Sequence, residues 1–267
     1  MNIACYVCFV PTDNLSRLSR REDLFKKISN SRFNGLSLES LQSTSEWIRS
    51  LDEAFNALER FNLPTQRMLH SVIWMYHPQT QNYFPVGDWD FGQWRQYTNV
   101  LHYNLGGLVG VNLSFYKAMN EFLSTSNQSC IWLEDDTVLT DKWEIDVMRC
   151  LERAPSNWDV INLAEYTNFG TSIGQLHQLA NEMFVLPYSA SRCHCILISR
   201  AGAQKFLEFL QLHGSILPLD WILFNVRSPE VRDIEPVYFD TYFVNPHSVK
   251  ICAWSSHYAD SSLTTIV

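Results

Sequence analysis

The chain predicts an α/β fold with a mixed, mostly parallel sheet flanked by helices. Three observations lead there. It opens on an apolar, strand-like run from Ile3 to Val10, followed after a polar turn by "REDLFKKI", whose Leu24, Phe25 and Ile28 mark one face at helical spacing. Short apolar runs then alternate with segments of helical period along most of the chain. One of those runs, "CIWL" at 130–133, ends in three consecutive carboxylates, Glu134, Asp135 and Asp136, at the place where open parallel sheets present their ligands.

Taken in order, Pro11 and Asp13 stop the first strand, which lacks the basic flank of a secretion signal. Residues 33–67 read as mostly helical, with Trp47, Leu51, Phe55 and Leu58 three or four apart and Ser45 able to cap the start. From 72 to 105 the pattern becomes aromatic, proline-punctuated and aperiodic, which suits an active-site loop or insertion. Gly106 and Gly107 introduce a helix expected from about Ser114, with Phe115, Met119 and Phe122 inward. After the acidic triplet come a helix in "DKWEIDVMRCLERA", strands in "DVINLA" and "CHCILIS", and a helix in "RAGAQKFLEFLQLHG" that Gly214 closes. A helix-like "LDWILFNV" and a strand-like "VYFDTYFV" complete the order. No glycine-rich dinucleotide or P-loop fingerprint is present.

Composition narrows the function classes. A chain of 267 residues, 46% hydrophobic, can bury a large core and is expected to form one domain over 1–267. A formal charge of -8 argues against extended contact with nucleic acid or anionic lipid, yet leaves room for an anionic small molecule offset by a cation. No run approaches the ~18 apolar residues of a membrane span. Seven cysteines in mostly apolar surroundings suit a reducing, cytoplasmic compartment, with Cys5, Cys8, Cys193 and Cys195 read as core side chains in preference to a zinc site. The sequons at Asn14, Asn112 and Asn127 are then incidental.

Carboxylates crowded at a strand end ask for open solvent or for a cation. Wider context favours the cation. "GGLVGVNLSFYKAMNEFL", "CIWLEDDTVL", "SRCHCILISRAGAQKFLEFL", "LPLDWILF" and "VYFDTYFVNPHSV" follow one another in an order that resembles family 25 of the glycosyltransferases, the lipooligosaccharide and collagen galactosyltransferase type. "NLSRLSRREDLFKKI" at 14–28 is similar to that family's opening. Two departures stand out. Ser114 and Phe115 occupy the place of a serine-histidine pair, and the glutamine that follows the family's last proline is missing from "NPHSVKICAWSS".

The resemblance implies a GT-A-like nucleotide-diphospho-sugar transferase fold. It implies a nucleoside diphosphate sugar as donor, a glycan or glycoconjugate as acceptor, a divalent cation (Mn²⁺ or Mg²⁺) and an inverting transfer. It places Asp136 and Glu134 on the metal, with Glu134 also within reach of the ribose and Asp135 near the donor sugar. His247 is the implied third ligand, with His257 and Asp240 as alternatives. Asp220 takes the place of the family's base, and Glu165 could serve instead. Arg17, Arg20 and Arg21 follow the first strand and suit a diphosphate, and Arg192 and Arg200 flank a later strand with the same capacity. Trp89, Trp94 and Tyr97 suit a sugar face. Two other classes compete: a metal-dependent phosphoester or glycoside hydrolase, and a non-catalytic carbohydrate-binding protein.

Overall fold

The computed structural model describes residues 3–8, 15–31, 51–65, 74–77, 82–85, 98–135, 137–164, 177–178, 183–186, 193–215, 217–224, 237–245 and 248–253. Strand β1 (Ala4–Cys8) leads into helix α1 (Leu15–Ser29), the strand–helix opening expected from the sequence. Helix α2 (Leu51–Arg60) is the described part of the 33–67 segment, and Ser45 and Trp47 lie outside the described residues. Strands β2 (Trp74–His77) and β3 (Asn82–Pro85) form an antiparallel hairpin that matches Tyr76 with Tyr83 and Met75 with Phe84. This corrects the aperiodic reading at 74–77 and 82–85; the rest of the stretch up to 97 lies outside the described residues. Aromatic residues close together in the sequence hide a period of two.

Helix α3 (Thr98–Ser124) is also longer than expected, starting well before Ser114 and passing through Gly106, Gly107 and Gly110. Glycine lowers helix propensity by ~1 kcal/mol without forbidding the conformation. The buried stripe Val109, Leu113, Phe115, Met119 and Phe122 holds the C-terminal half against the core. There follow β4 (Ser129–Glu134), β5 (Val138–Leu139), α4 (Trp143–Arg153), β6 (Val160–Asn162), β7 (His177–Gln178), β8 (Phe184–Leu186) and β9 (Cys195–Ser199). Helix α5 (Arg200–His213), helix α6 (Leu219–Leu223), β10 (Thr241–Val244) and β11 (Cys252–Ala253) complete the described chain.

Seven strands form one mixed sheet in the order β1-β4-β9-β6-β10-β8-β7. Strands β1, β4, β6, β10 and β7 share one direction, and β9 and β8 run against them. Inserting two reversed strands leaves only β1 with β4 and β6 with β10 as parallel neighbours. The sheet is therefore mostly parallel in strand direction and mostly antiparallel in pairing.

The core lies between this sheet and the helices. Phe115 sits edge-on to Trp132 of β4 at 4.9 Å and to Phe206 of α5 at 4.7 Å, with all three buried. Helix α3 packs on α5, α2, α6 and β1, which makes it the hub of the helical layer. Helix α5 starts with Ser199 Oγ accepting from the Gly202 amide at 3.0 Å, and ends where Gly214, at φ 74, donates to Leu210 O. A Cβ on Gly202 would collide with the backbone carbonyl of Asp159, so this glycine sets how closely α5 approaches β6. Among the described residues no helix is long and apolar enough to cross a membrane.

Candidate functional site

The carboxyl ends of β1 and β4 are neighbours, and their register sets Cys8 beside Glu134. Strand β4 stops at Glu134, and Thr137 N donates back to Glu134 O at 3.0 Å. Asp136, expected beside Glu134 on the metal, lies outside the described residues. The end of β4 is fixed from a second direction. His194 O accepts from Glu134 N at 2.8 Å and from Thr137 Oγ1 at 2.7 Å, tying the acidic segment to the start of β9.

Asp135 is buried and accepts from Arg21 Nη2 at 2.9 Å. A carboxylate with so little solvent needs such a partner, and a guanidinium cannot shed its charge to avoid the pairing. The pair joins α1 to the end of β4, and Lys27, two turns along α1, donates to Leu139 O of β5. Asp135 and Arg21, expected to meet the donor, are thus engaged with each other.

Glu134 is half-buried, and its Oε1 lies 3.9 Å from Cys193 Sγ. Burial pushes the Cys193 thiol well above its ordinary range, and the negative charges of Glu134 and Asp220 raise it further. Glu134, Cys193 and Asp220, far apart in sequence, thereby share one electrostatic neighbourhood at this end of the sheet.

Asp220 is half-exposed in the first turn of α6, where Pro218 holds the N-cap position and Asp220 Oδ1 accepts from Trp221 N at 3.0 Å. Its placement is set by the loop before it. Asn112, wholly buried on α3, donates through Nδ2 to Ser215 Oγ and to Leu217 O, both at 2.8 Å. That burial also makes the Asn112 sequon inaccessible in the folded chain. Gly214 packs against Pro64 so closely that a Cβ would collide with the Pro64 carbonyl.

Phe115, standing where the resembled family has histidine, is a core residue with no exposed surface. Arg200 is also structural: it donates to the carbonyls of Leu123, Thr125 and Asn127 at 2.7, 2.8 and 3.0 Å, closing the C-terminal end of α3. Asp240 lies just before β10, at the opposite end of the sheet from Glu134, which removes it as a third ligand beside Glu134. Asp136, Glu165, Arg192, His247 and His257 lie outside the described residues, as do Trp89, Trp94 and Tyr97 and the side chain of Arg17, whose backbone is in α1.

The described cysteines are free, and all but the half-buried Cys8 are buried. Among the described residues no group of three or more His, Cys, Asp or Glu side chains could hold a metal ion. Sequence reasoning missed the thiol of Cys193 as a neighbour of Glu134; its place in an apolar strand-like run gave no sign of what it would face. Comparison with protein-family models and with curated proteins finds no match to this chain.

Proposed function

We propose that the chain is a single GT-A-like catalytic domain that transfers a sugar from a nucleoside diphosphate sugar to a hydroxyl of a glycan or glycoconjugate. In this reading the transfer inverts the anomeric carbon and uses Mn²⁺ or Mg²⁺. The observation that carries the reading is the convergence of Glu134, at the carboxyl end of β4, with Asp220 at the start of α6. One carboxylate sits where a donor's diphosphate would be met at a strand end, and the other stands in the same neighbourhood, where an acceptor hydroxyl would be met.

The residues suit a hard cation. Glu134 offers carboxylate oxygens at the end of β4, whereas Asp135 is held by Arg21 and is not a ligand candidate. When bound, a divalent cation supplies charge neutralisation for the departing diphosphate. Glu134 and Asp136 would hold it, with His247 completing the set. Asp220 would accept the proton of the attacking hydroxyl, with Glu165 as the alternative. The free cysteines suit a reducing compartment.

Incubating the protein with a panel of nucleoside diphosphate sugars and Mn²⁺, first without and then with mixed glycan acceptors, tests the reading. Slow donor hydrolysis that turns into glycoside formation, with inverted anomeric configuration by proton NMR, is the expected result. Cleavage of simple phosphoesters or glycosides in place of sugar nucleotides would overturn it in favour of a hydrolase. Glycan binding with no turnover of any donor would leave a carbohydrate-binding protein.

A further inference from the structure

Helix α6 is too short to hold itself in place. Its five residues make little more than one helical turn, and a helix of that length has no stability of its own in water. Burial of Leu219, Ile222 and Leu223 fixes which face turns inward. Apolar contacts alone tolerate small slides and rotations, because they carry no direction. Two buried polar ties remove that tolerance. Ahead of the helix, Asn112 of α3 donates through Nδ2 to Ser215 Oγ and to Leu217 O, both at 2.8 Å. At its far end, Thr241 Oγ1 of β10 donates to Leu223 O at 2.6 Å. A carbonyl can only accept, so Leu217 O fixes which way the Asn112 amide points, and hydrogen bonds weaken steeply outside a narrow range of distance and angle.

We propose that Asn112 is a positioning residue for Asp220: through Ser215 and Leu217, and with Thr241 at the other end, it fixes where α6 holds that carboxylate. Asp220 stands three residues past Leu217. The backbone between is itself closed, since Ile222 N donates to Pro218 O at 3.0 Å and Phe224 N to Asp220 O at 2.9 Å. A displacement imposed at Leu217 therefore reaches Asp220 as a shift of the whole turn. That the carboxylate so placed is the base of a sugar transfer rests on the reading above; the anchoring of α6 does not.

Trp221, next to Asp220 and packed partly against the core, serves as the probe. Fluorine NMR of the full chain labelled with fluorotryptophan, with the Trp221 signal assigned by Trp221→Phe, is read alongside kcat and KM from steady-state transfer on the same samples. Asn112→Ala shifts or broadens the Trp221 signal and lowers kcat per folded molecule by on the order of 10- to 100-fold, while donor KM is unchanged, because a base displaced by about an ångström misses the attacking hydroxyl without touching the donor. Ser215→Ala, which removes one of the two acceptors of Asn112, and Thr241→Val, which keeps the side-chain shape, act in the same direction more weakly and remain readable if Asn112→Ala does not fold. Lys205→Met, which breaks the Asp159 pair at the other end of the sheet, lowers the melting temperature but moves neither the signal nor kcat.

An unmoved Trp221 signal in the folded variants overturns the proposal. So does a loss of kcat that follows melting temperature and is matched by Lys205→Met. A moved signal with unchanged transfer separates α6 from the reaction and overturns the positioning role while leaving the transferase. A moved signal in a protein that turns over no sugar nucleotide keeps the anchoring and removes the transferase.

Discussion

At the amino end of β6 and β10, Asp159 accepts from Lys205 and from Asp240 N, and Arg200 donates to three carbonyls at the end of α3. At the carboxyl ends of β1 and β4, Arg21 and Asp135 are paired, and Glu134 lies 3.9 Å from the Cys193 thiol, whose pKa is raised by burial and by the charges of both Glu134 and Asp220. The same sheet thus has one end where charges are tied to backbone and to one another, and another where two carboxylates from distant parts of the chain gather around one thiol. Ties of the first kind hold a scaffold together. Carboxylates gathered at a strand end suit a charged ligand or a cation.

Substitutions at the two ends should separate activity from stability. The largest effect is expected at the carboxyl end: Asp220→Asn should lower sugar transfer by about 10² to 10⁴, the usual worth of a positioned base, while donor binding and melting temperature change little. Steady-state transfer assays alongside thermal unfolding check this, and normal transfer by Asp220→Asn with an inactive Glu165→Gln would move the base to Glu165. Next comes the amino end. Lys205→Met leaves the buried Asp159 with backbone donors alone and should destabilise the fold by about 3 kcal/mol, the low end for a broken buried pair since Lys205 is partly exposed. Transfer per folded molecule should be retained, as urea unfolding and activity on the same samples would reveal.

The buried core between the two ends sets a common baseline. Burial pushes the thiols of Cys5 and Cys150 up to about 12 from an ordinary 9.0, with nearby Asp146 adding to the shift at Cys150 and Arg149 partly offsetting it. Unfolded thiols release their protons near pH 9 while the folded ones hold them to about 12. The unfolded state then binds fewer protons, so stability is full below pH 9 and falls as pH rises through that window. Each thiol contributes a slope of ~1.4 kcal/mol per pH unit. Denaturant midpoints at several alkaline pH values should show the decline, and Cys150→Ser should make it shallower. The smallest effect belongs to Asp240→Asn, where an exposed side chain changes but the backbone N–H to Asp159 stays; stability should move by less than about 0.5 kcal/mol and transfer should be unchanged.

The sequence was most legible where the period of its apolar residues matched the burial that the fold imposes. Leu24 with Ile28, "CIWL", "CHCILIS" and the Ser199 to Gly214 helix were readable because each buries one face or all of a short strand, and the caps use residues with one favoured conformation. It was least legible at Gly106, Gly107 and Gly110, where propensity argued for a break and a continuous helix formed, and at Trp74–His77 and Asn82–Pro85, where closely spaced aromatic residues hid the alternation in the sequence. The candidate site shows the same division. Glu134 and Asp220 could be picked out by position, whereas the pairing of Arg21 with Asp135 could not.

By itself the sequence determined the α/β class, the positions of the helices and of five of the eleven described strands, and the placing of three acids at the end of an apolar strand. These depend on local propensity and on a repeat of two or 3.6 residues, which a linear chain displays directly. The tertiary structure alone decided that β9 runs backwards between β4 and β6, bringing His194 and Cys193 to Glu134. It also decided that Asn112 and Pro64 hold the turn before Asp220, that Arg200 closes α3, and that of two adjacent arginines one meets Asp135 while the other keeps buried donors. Contacts between residues tens of positions apart depend on which strand lies beside which and on how closely a helix can approach, and neither leaves a periodic trace in the chain.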